Sequence, residues 1–205
     1  MQNSLIINGH QPHEVSPGTL NRTLAARAAG HLESLGHQVR VTEVARGYDV
    51  DTEVALHQWA DTVIMQFPVN WMGLPWSFKK YVDEVYTAGM DGRMCAGDGR
   101  AAENPKADYG TGGSLTDARY MLSVTFNAPR EAFDDVSEPL FRGASVDDML
   151  LPVHLNARFV GLSALPTFAA FDVEKNPETE ADLTRFDHHL GTVFGTPASL
   201  AAGAV

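Results

Sequence analysis

Apolar residues along this chain fall into two patterns that take turns. Leu5-Ile6-Ile7, closed by Asn8 and Gly9, is a short unbroken apolar run ended by turn formers, which predicts a strand buried on both faces. Leu20, Leu24, Ala28, Leu32 and Leu35 then recur at helical spacing as far as Gly36, a residue suited to a left-handed helix terminus. Gln38 to Glu43 alternates Val39 and Val41 with polar residues, a short helical stretch ends near Trp59, and Thr62-Val63-Ile64-Met65 predicts a third strand stopped by Pro68. Pro75 suits the first position of a helix running to about Val85. Arg119 to Thr125 predicts strand four, and Leu165-Pro166-Thr167-Phe168 leads into strand five. Leu183, Phe186, Leu190 and Val193 form the apolar stripe of a terminal helix.

Strands that alternate with helices predict a parallel α/β sheet of five strands with helices on both faces, because right-handed crossovers lay each helix over the strand before it. Ligands of such sheets sit beyond the carboxyl ends of the strands, so the loops after strands one, three and four are the segments to inspect. A length of 205 residues suits one domain, assigned to residues 1–195, with the small, apolar residues 196–205 expected as a flexible tail.

Charge narrows the ligand classes. With 15 Lys and Arg against 26 Asp and Glu the net charge is -11, which offers no basic stripe for a nucleic acid. An anionic cofactor would then depend on local N–H groups and helix N-termini. The lone Cys95 has no partner for a disulfide, a redox pair or a zinc site. No apolar run approaches the length of a membrane span, and the N-terminus lacks the features of a signal sequence, so a soluble, cytoplasmic protein without membrane insertion is expected.

The first loop, Gly9 to Asn21, contains neither GxGxxG nor GxxxxGK[ST], which argues against a dinucleotide Rossmann site or a P-loop. It gathers Ser16, Pro17, Gly18, Thr19, Leu20 and Asn21 where a helix begins, either as a phosphate-binding turn or as a Ser N-cap followed by Pro. His10 and His13 have no acidic or cysteine partner at ligand spacing and are expected at the surface. The second loop, Pro68 to Trp76, is rich in rigid and aromatic residues, so its backbone could meet the edge of a planar ring while Trp71 and Met72 exclude water. A core-packing turn is the other reading. The third loop, Thr125-Phe126-Asn127-Ala128-Pro129, has the same mixture. A long Gly-rich stretch from Tyr86 to Thr116 carries Tyr109, placed either over a ligand or simply at the surface.

Pro68-x-x-Trp71-x-Gly73-x-Pro75, followed by Lys79, Lys80, Tyr81, Asp83 and Val85, resembles the loop and helix of the flavodoxin-like NAD(P)H:quinone oxidoreductases, in particular their bacterial modulator of drug activity B type. The resemblance extends through Ser16-x-Gly18-x-Leu20-Asn21-x-Thr23, Tyr109-Gly110-x-Gly112-Gly113 and Thr125-x-Asn127-Ala128-Pro129-x-Glu131-Ala132-Phe133, then Leu151-Pro152 and Leu165-Pro166-Thr167-Phe168. It covers nearly the whole chain.

The resemblance implies FAD bound across the carboxyl edge of a flavodoxin-like sheet, in a homodimer with both sites near the interface. Ser16 to Thr23, Arg22 included, would receive the pyrophosphate. Val69, Asn70, Trp71 and Met72, with Thr125, Phe126, Asn127 and Ala128, would line the isoalloxazine, and Tyr109 would touch the flavin region. NAD(P)H would then reduce the flavin, and a quinone would collect two electrons from the same pocket. Relatives similar to the mammalian quinone reductase carry a double-glycine turn after strand four, with a Tyr and a His downstream for charge relay. Asn127-Ala128-Pro129 stands here instead, so no protein acid or base is assigned. An electron-carrier flavodoxin or a regulatory flavoprotein subunit of a transporter would share the fold without the catalysis.

Overall fold

A computed structural model describes residues 1–14 and 16–197. Of the tail expected at residues 196–205, residues 198–205 lie outside the described residues. Along the chain run β1 (Asn3–Asn8), α1 (Thr19–Ser34), β2 (Gln38–Glu43), α2 (Val50–Trp59), β3 (Thr62–Pro68), α3 (Trp76–Gly89) and β4 (Arg119–Thr125). There follow α4 (Val146–Met149), α5 (Leu151–Phe159), β5 (Ser163–Ala164), β6 (Phe168–Ala170) and α6 (Thr179–Phe194).

All strand pairs are parallel, in the order β2-β1-β3-β4-β5, with β6 also paired to β4. The predicted fifth strand is thus two short strands in one sheet position. Arg119 and Tyr120 pair with Ser163 and Ala164, and Ser123 to Thr125 pair with Phe168 to Ala170. Pro166 sits in the break, where it has no N–H to give to a ladder. Two side chains of α6 occupy carbonyls along this edge: His189 Nε2–H donates to Pro166 O (3.0 Å) and Arg185 Nη2–H to Ala169 O (3.1 Å).

Period-two alternation divides the core between the two faces of the sheet. Leu5, Ile7, Val63, Met65, Phe67, Tyr120, Leu122 and Val124 point to the layer that holds α2, α3 and α5. Ile6, Ile64 and Met121 point to the layer of α1 and α6, where Leu24, Ala28, Leu32, Phe186 and Leu190 meet them. Gly36, at φ 84, takes the left-handed conformation its position after α1 predicts.

Several boundaries differ from expectation. Gly18, at φ 76, is the N-cap of α1, so Ser16 and Pro17 precede the helix instead of forming its N-cap and first turn. Pro75 is likewise the N-cap of α3, its extended ψ of 145 keeping it outside the helix, and α3 continues past Val85 to Gly89. Tyr86 to Gly89 therefore belong to helix, and the remainder of the Gly-rich stretch is held by a bridge between Cys95 and Gly113. Two unpredicted helices fill the segment after β4: α4 starts with a capping box between Ser145 and Asp148, and α5 follows directly. A buried relay ties α5 to the sheet, since Tyr120 Oη and His154 Nδ1 lie 2.5 Å apart and His154 Nε2 reaches Asp147 at 3.2 Å.

Candidate active site

The loops after β1, β3 and β4 converge on a cleft of about 530 Å³ at the carboxyl edge of the sheet. Its walls include Ser16, Pro17, Gly18, Thr19, Leu20 and Asn21 from the first loop, Val69 and Asn70 from the second, and Thr125 and Asn127 from the third. The sequence placed all ten at a site, and the fold brings them together.

One end of the cleft is built to receive negative charge. The first backbone bond of α1 runs from Arg22 N–H to Gly18 O (3.0 Å), so the N–H groups of Thr19, Leu20 and Asn21 stand ahead of the helical ladder. No side chain caps this terminus and its first turn contains no acidic residue. In α2, by contrast, the Asp49 carboxylate accepts from Thr52 N–H. An anion at α1 would meet free N–H groups and the positive end of the helix dipole. His10 lies beneath this turn. It is 3% exposed, which corrects the expected surface position, and its Nε2–H donates to Ser16 O (3.1 Å). Burial lowers its pKa below the usual histidine value. Gly18 is required twice over: its φ is positive, and a Cβ there would lie 2.2 Å from the His10 ring.

The other end is a tight turn. Asn70 and Gly73 exchange both backbone hydrogen bonds (3.0 and 3.1 Å), which forces Trp71 and Met72 to φ 48 and 62. Two non-glycine residues in the left-handed region cost about 1–2 kcal/mol each, and strain of this kind gathers at functional loops. The turn is seated on the sheet by Val69 N–H to Thr125 O (2.9 Å) and leaves the Trp71 and Met72 N–H groups outside its own pairing. Trp71 does not wall the cleft as expected, because it stands 97% exposed on the rim, with Met72 48% exposed beside it.

Other assigned residues fall outside the cavity wall. Arg22 folds back to donate to Pro17 O (2.6 Å), and Thr23 donates to Thr19 O. Phe126 is buried, stacked on Phe171 at 5.6 Å, while Ala128 packs against the core. Tyr109 packs edge-on to Phe159 of α5 at 5.8 Å and is exposed on that side of the molecule, away from the cleft of its own chain. Conversely, the sequence reading missed Trp76, Val173 and Glu174 in the wall, and Gln66 and Ser123 beneath it. Gln66 and Ser123 carried a usable signal: each is a polar residue that directly follows three consecutive apolar or aromatic residues of its strand, toward the carboxyl end.

This cleft fits a flavin or a similar ligand with a planar ring and a phosphate tail: anion donors lie at one end, a rigid turn at the other, and hydroxyl and amide groups between them. The family described as flavodoxin-like fold matches residues 2–192, and the chain belongs to that family. It is 44% identical over 193 residues to the NADPH:quinone oxidoreductase MdaB of Haemophilus influenzae, covering 94% of this chain and all of that one. Among solved structures, a Klebsiella pneumoniae protein described as a candidate quinone reductase superposes with a TM-score of 0.75 at 24% identity, covering 96% of this chain and 86% of that one. The general stress protein 14 of Treponema denticola, solved in complex with FMN, gives a TM-score of 0.63 at 21% identity over 94% of this chain and 99% of that one. Among the described residues no helix is long and apolar enough to cross a membrane, and no group of three or more potential ligands is gathered for a metal ion.

Proposed function

We propose that this chain is an FAD-dependent NAD(P)H:quinone oxidoreductase that acts as a cytoplasmic homodimer. The observation that carries the reading is the cleft itself, with the uncapped, acid-free end of α1 on one side and Val69 and Asn70, at the base of the strained Trp71–Met72 turn, on the other. The identity to MdaB across the whole of that relative supports the same chemistry here. A bound flavin would accept hydride and pass on two electrons. The chain would hold the pyrophosphate on the N–H groups of Thr19 to Asn21, set the ring against Val69, Asn70, Thr125 and Asn127, and offer Trp71 on the rim as a stacking surface for both substrates.

Tyr109 can reach such a site only from a second copy, since in its own chain it lies on the α5 side. Leu151 and Leu155 are 46% and 51% exposed there, at helical spacing with Phe159, an apolar surface suited to self-association. Leu155→Glu should give a monomer by light scattering and lose quinone turnover while keeping its fold.

Mass analysis of the released cofactor tests the flavin assignment. FAD is expected, and recovery of FMN alone, or of no flavin after reconstitution, would refute it. Reciprocal plots against NAD(P)H and quinone should be parallel, because one shared surface makes the first product leave before the acceptor enters. Intersecting plots would show two separate sites.

A further inference from the structure

Four polar side chains from three elements lie under the cleft with a common direction. Ser123 Oγ–H donates to Gln66 Oε1 (2.6 Å), Gln66 Nε2–H donates to Asn21 Oδ1 (2.8 Å), and Asn21 Nδ2–H donates to Thr125 Oγ1 (3.3 Å). Gln66 and Ser123 are fully buried, and Thr125 and Asn21 are 3% and 5% exposed. The sense of the circuit follows from what each end faces. Turning both amides over would make Ser123 an acceptor and leave its hydroxyl hydrogen orphaned in the interior, at about 1–3 kcal/mol. In the observed sense the spare hydroxyl hydrogen belongs to Thr125, which lines the cleft and meets no other acceptor among the described residues.

We propose that this circuit fixes the Thr125 hydroxyl as a hydrogen-bond donor aimed into the cleft, where it meets the redox-active ring of the flavin and strengthens its hold on electrons. The inference rests on the flavin reading of the cleft. Asn21 occupies the acceptor side of the Thr125 oxygen, so the hydroxyl cannot turn inward, and each donor polarises the next along the buried chain. A donor set in place beforehand gains strength as negative charge grows on its partner, so it favours the reduced ring over the oxidised one. Gln66 and Asn21 act through Thr125 and are positioning residues.

The test compares the FAD-loaded wild type with Thr125→Val, Gln66→Leu and Thr125→Ser, reading the midpoint potential of the bound flavin and, by fluorescence quenching, the affinity of the apoprotein for oxidised FAD. Thr125→Val and Gln66→Leu should weaken binding of reduced flavin about tenfold more than that of oxidised flavin, a downward shift of about 30 mV for a two-electron couple. Thr125→Ser should restore the wild-type potential. Ser123→Ala, which leaves the cleft wall intact, should shift the potential in the same direction by a smaller amount, and it carries the test if Thr125→Val or Gln66→Leu fails to fold. An unchanged potential with equal loss of affinity in both redox states would place the hydroxyl on the tail of the cofactor and overturn the proposal. So would a Thr125→Ser protein that behaves like Thr125→Val, or a Ser123→Ala protein with no shift. Failure of the wild type to bind any flavin would instead refute the reading of the cleft, and it is visible before any variant is made.

Discussion

Two of the buried polar clusters on the sheet end differently. In the cluster under α2 and α3, the Glu53 carboxylate, 4% exposed, accepts from Thr42 Oγ1–H (2.9 Å) and from Tyr81 Oη–H (2.7 Å). Every donor of that cluster terminates inside the protein. In the cluster under the cleft each group donates onward, and the last hydroxyl opens toward the cavity. A closed cluster specifies packing, whereas an open one holds a hydrogen-bonding capacity in reserve for a ligand. Stability and cofactor binding should therefore respond to different residues.

Glu53→Ala is expected to have the largest effect, because it orphans two buried hydroxyls at roughly 1–3 kcal/mol each, or about 2–6 kcal/mol together. Urea unfolding of the flavin-free protein would measure this, and flavin affinity of the folded fraction should stay within about twofold. A parallel loss of affinity would abolish the distinction between the clusters.

Next in size is an acid dependence. His57 packs beside the closed cluster with its Nε2 unpartnered, and burial pushes its pKa down to about 4. Between pH 6.5 and about 4 the unfolded chain binds a proton that the folded chain refuses, so the contribution of His57 is complete above pH 6.5 and is lost as pH falls toward 4. The loss amounts to about 3 kcal/mol. Unfolding curves of His57→Leu across that range should be flatter than wild type by about this amount. An identical slope would assign the acid sensitivity to other groups.

The smallest effect belongs to the rim of the cleft. Met72→Gly removes a left-handed side chain while adding unfolded-state freedom, leaving a net gain of roughly 0.5–1 kcal/mol in the apoprotein. Calorimetry should show a rise in Tm, and a fall would mean that Met72 contributes packing that its 48% exposure conceals.

Legibility in the sequence followed the physics of each segment. The strands β1, β3 and β4 were readable because both of their faces are covered, which gives each a run of consecutive apolar residues: Leu5 to Ile7, Val63 to Met65 and Tyr120 to Leu122. The cleft loops were readable because turn residues cluster after those runs. What escaped depended on partners distant in sequence: His154 meets Tyr120 across 34 residues, and Gln66 meets Asn21 across 45. The α4 and α5 helices escaped because each is short, at 4 and 9 residues, too brief for a helical period to declare itself. Trp71 was expected to wall the cleft and stands instead on its rim, since sequence shows the composition of a turn but not the direction its tip points.

The interrupted outer strand beside β4 bears on how the molecule behaves in a crowded solution. A continuous parallel edge is a template on which a strand from another molecule can assemble. Pro166 shortens that template to pieces of two and three residues, and His189 and Arg185 already hold the carbonyls of Pro166 and Ala169. Joining of chains through this edge is thereby discouraged, because an incoming strand would find only short stretches with some of their carbonyls already taken.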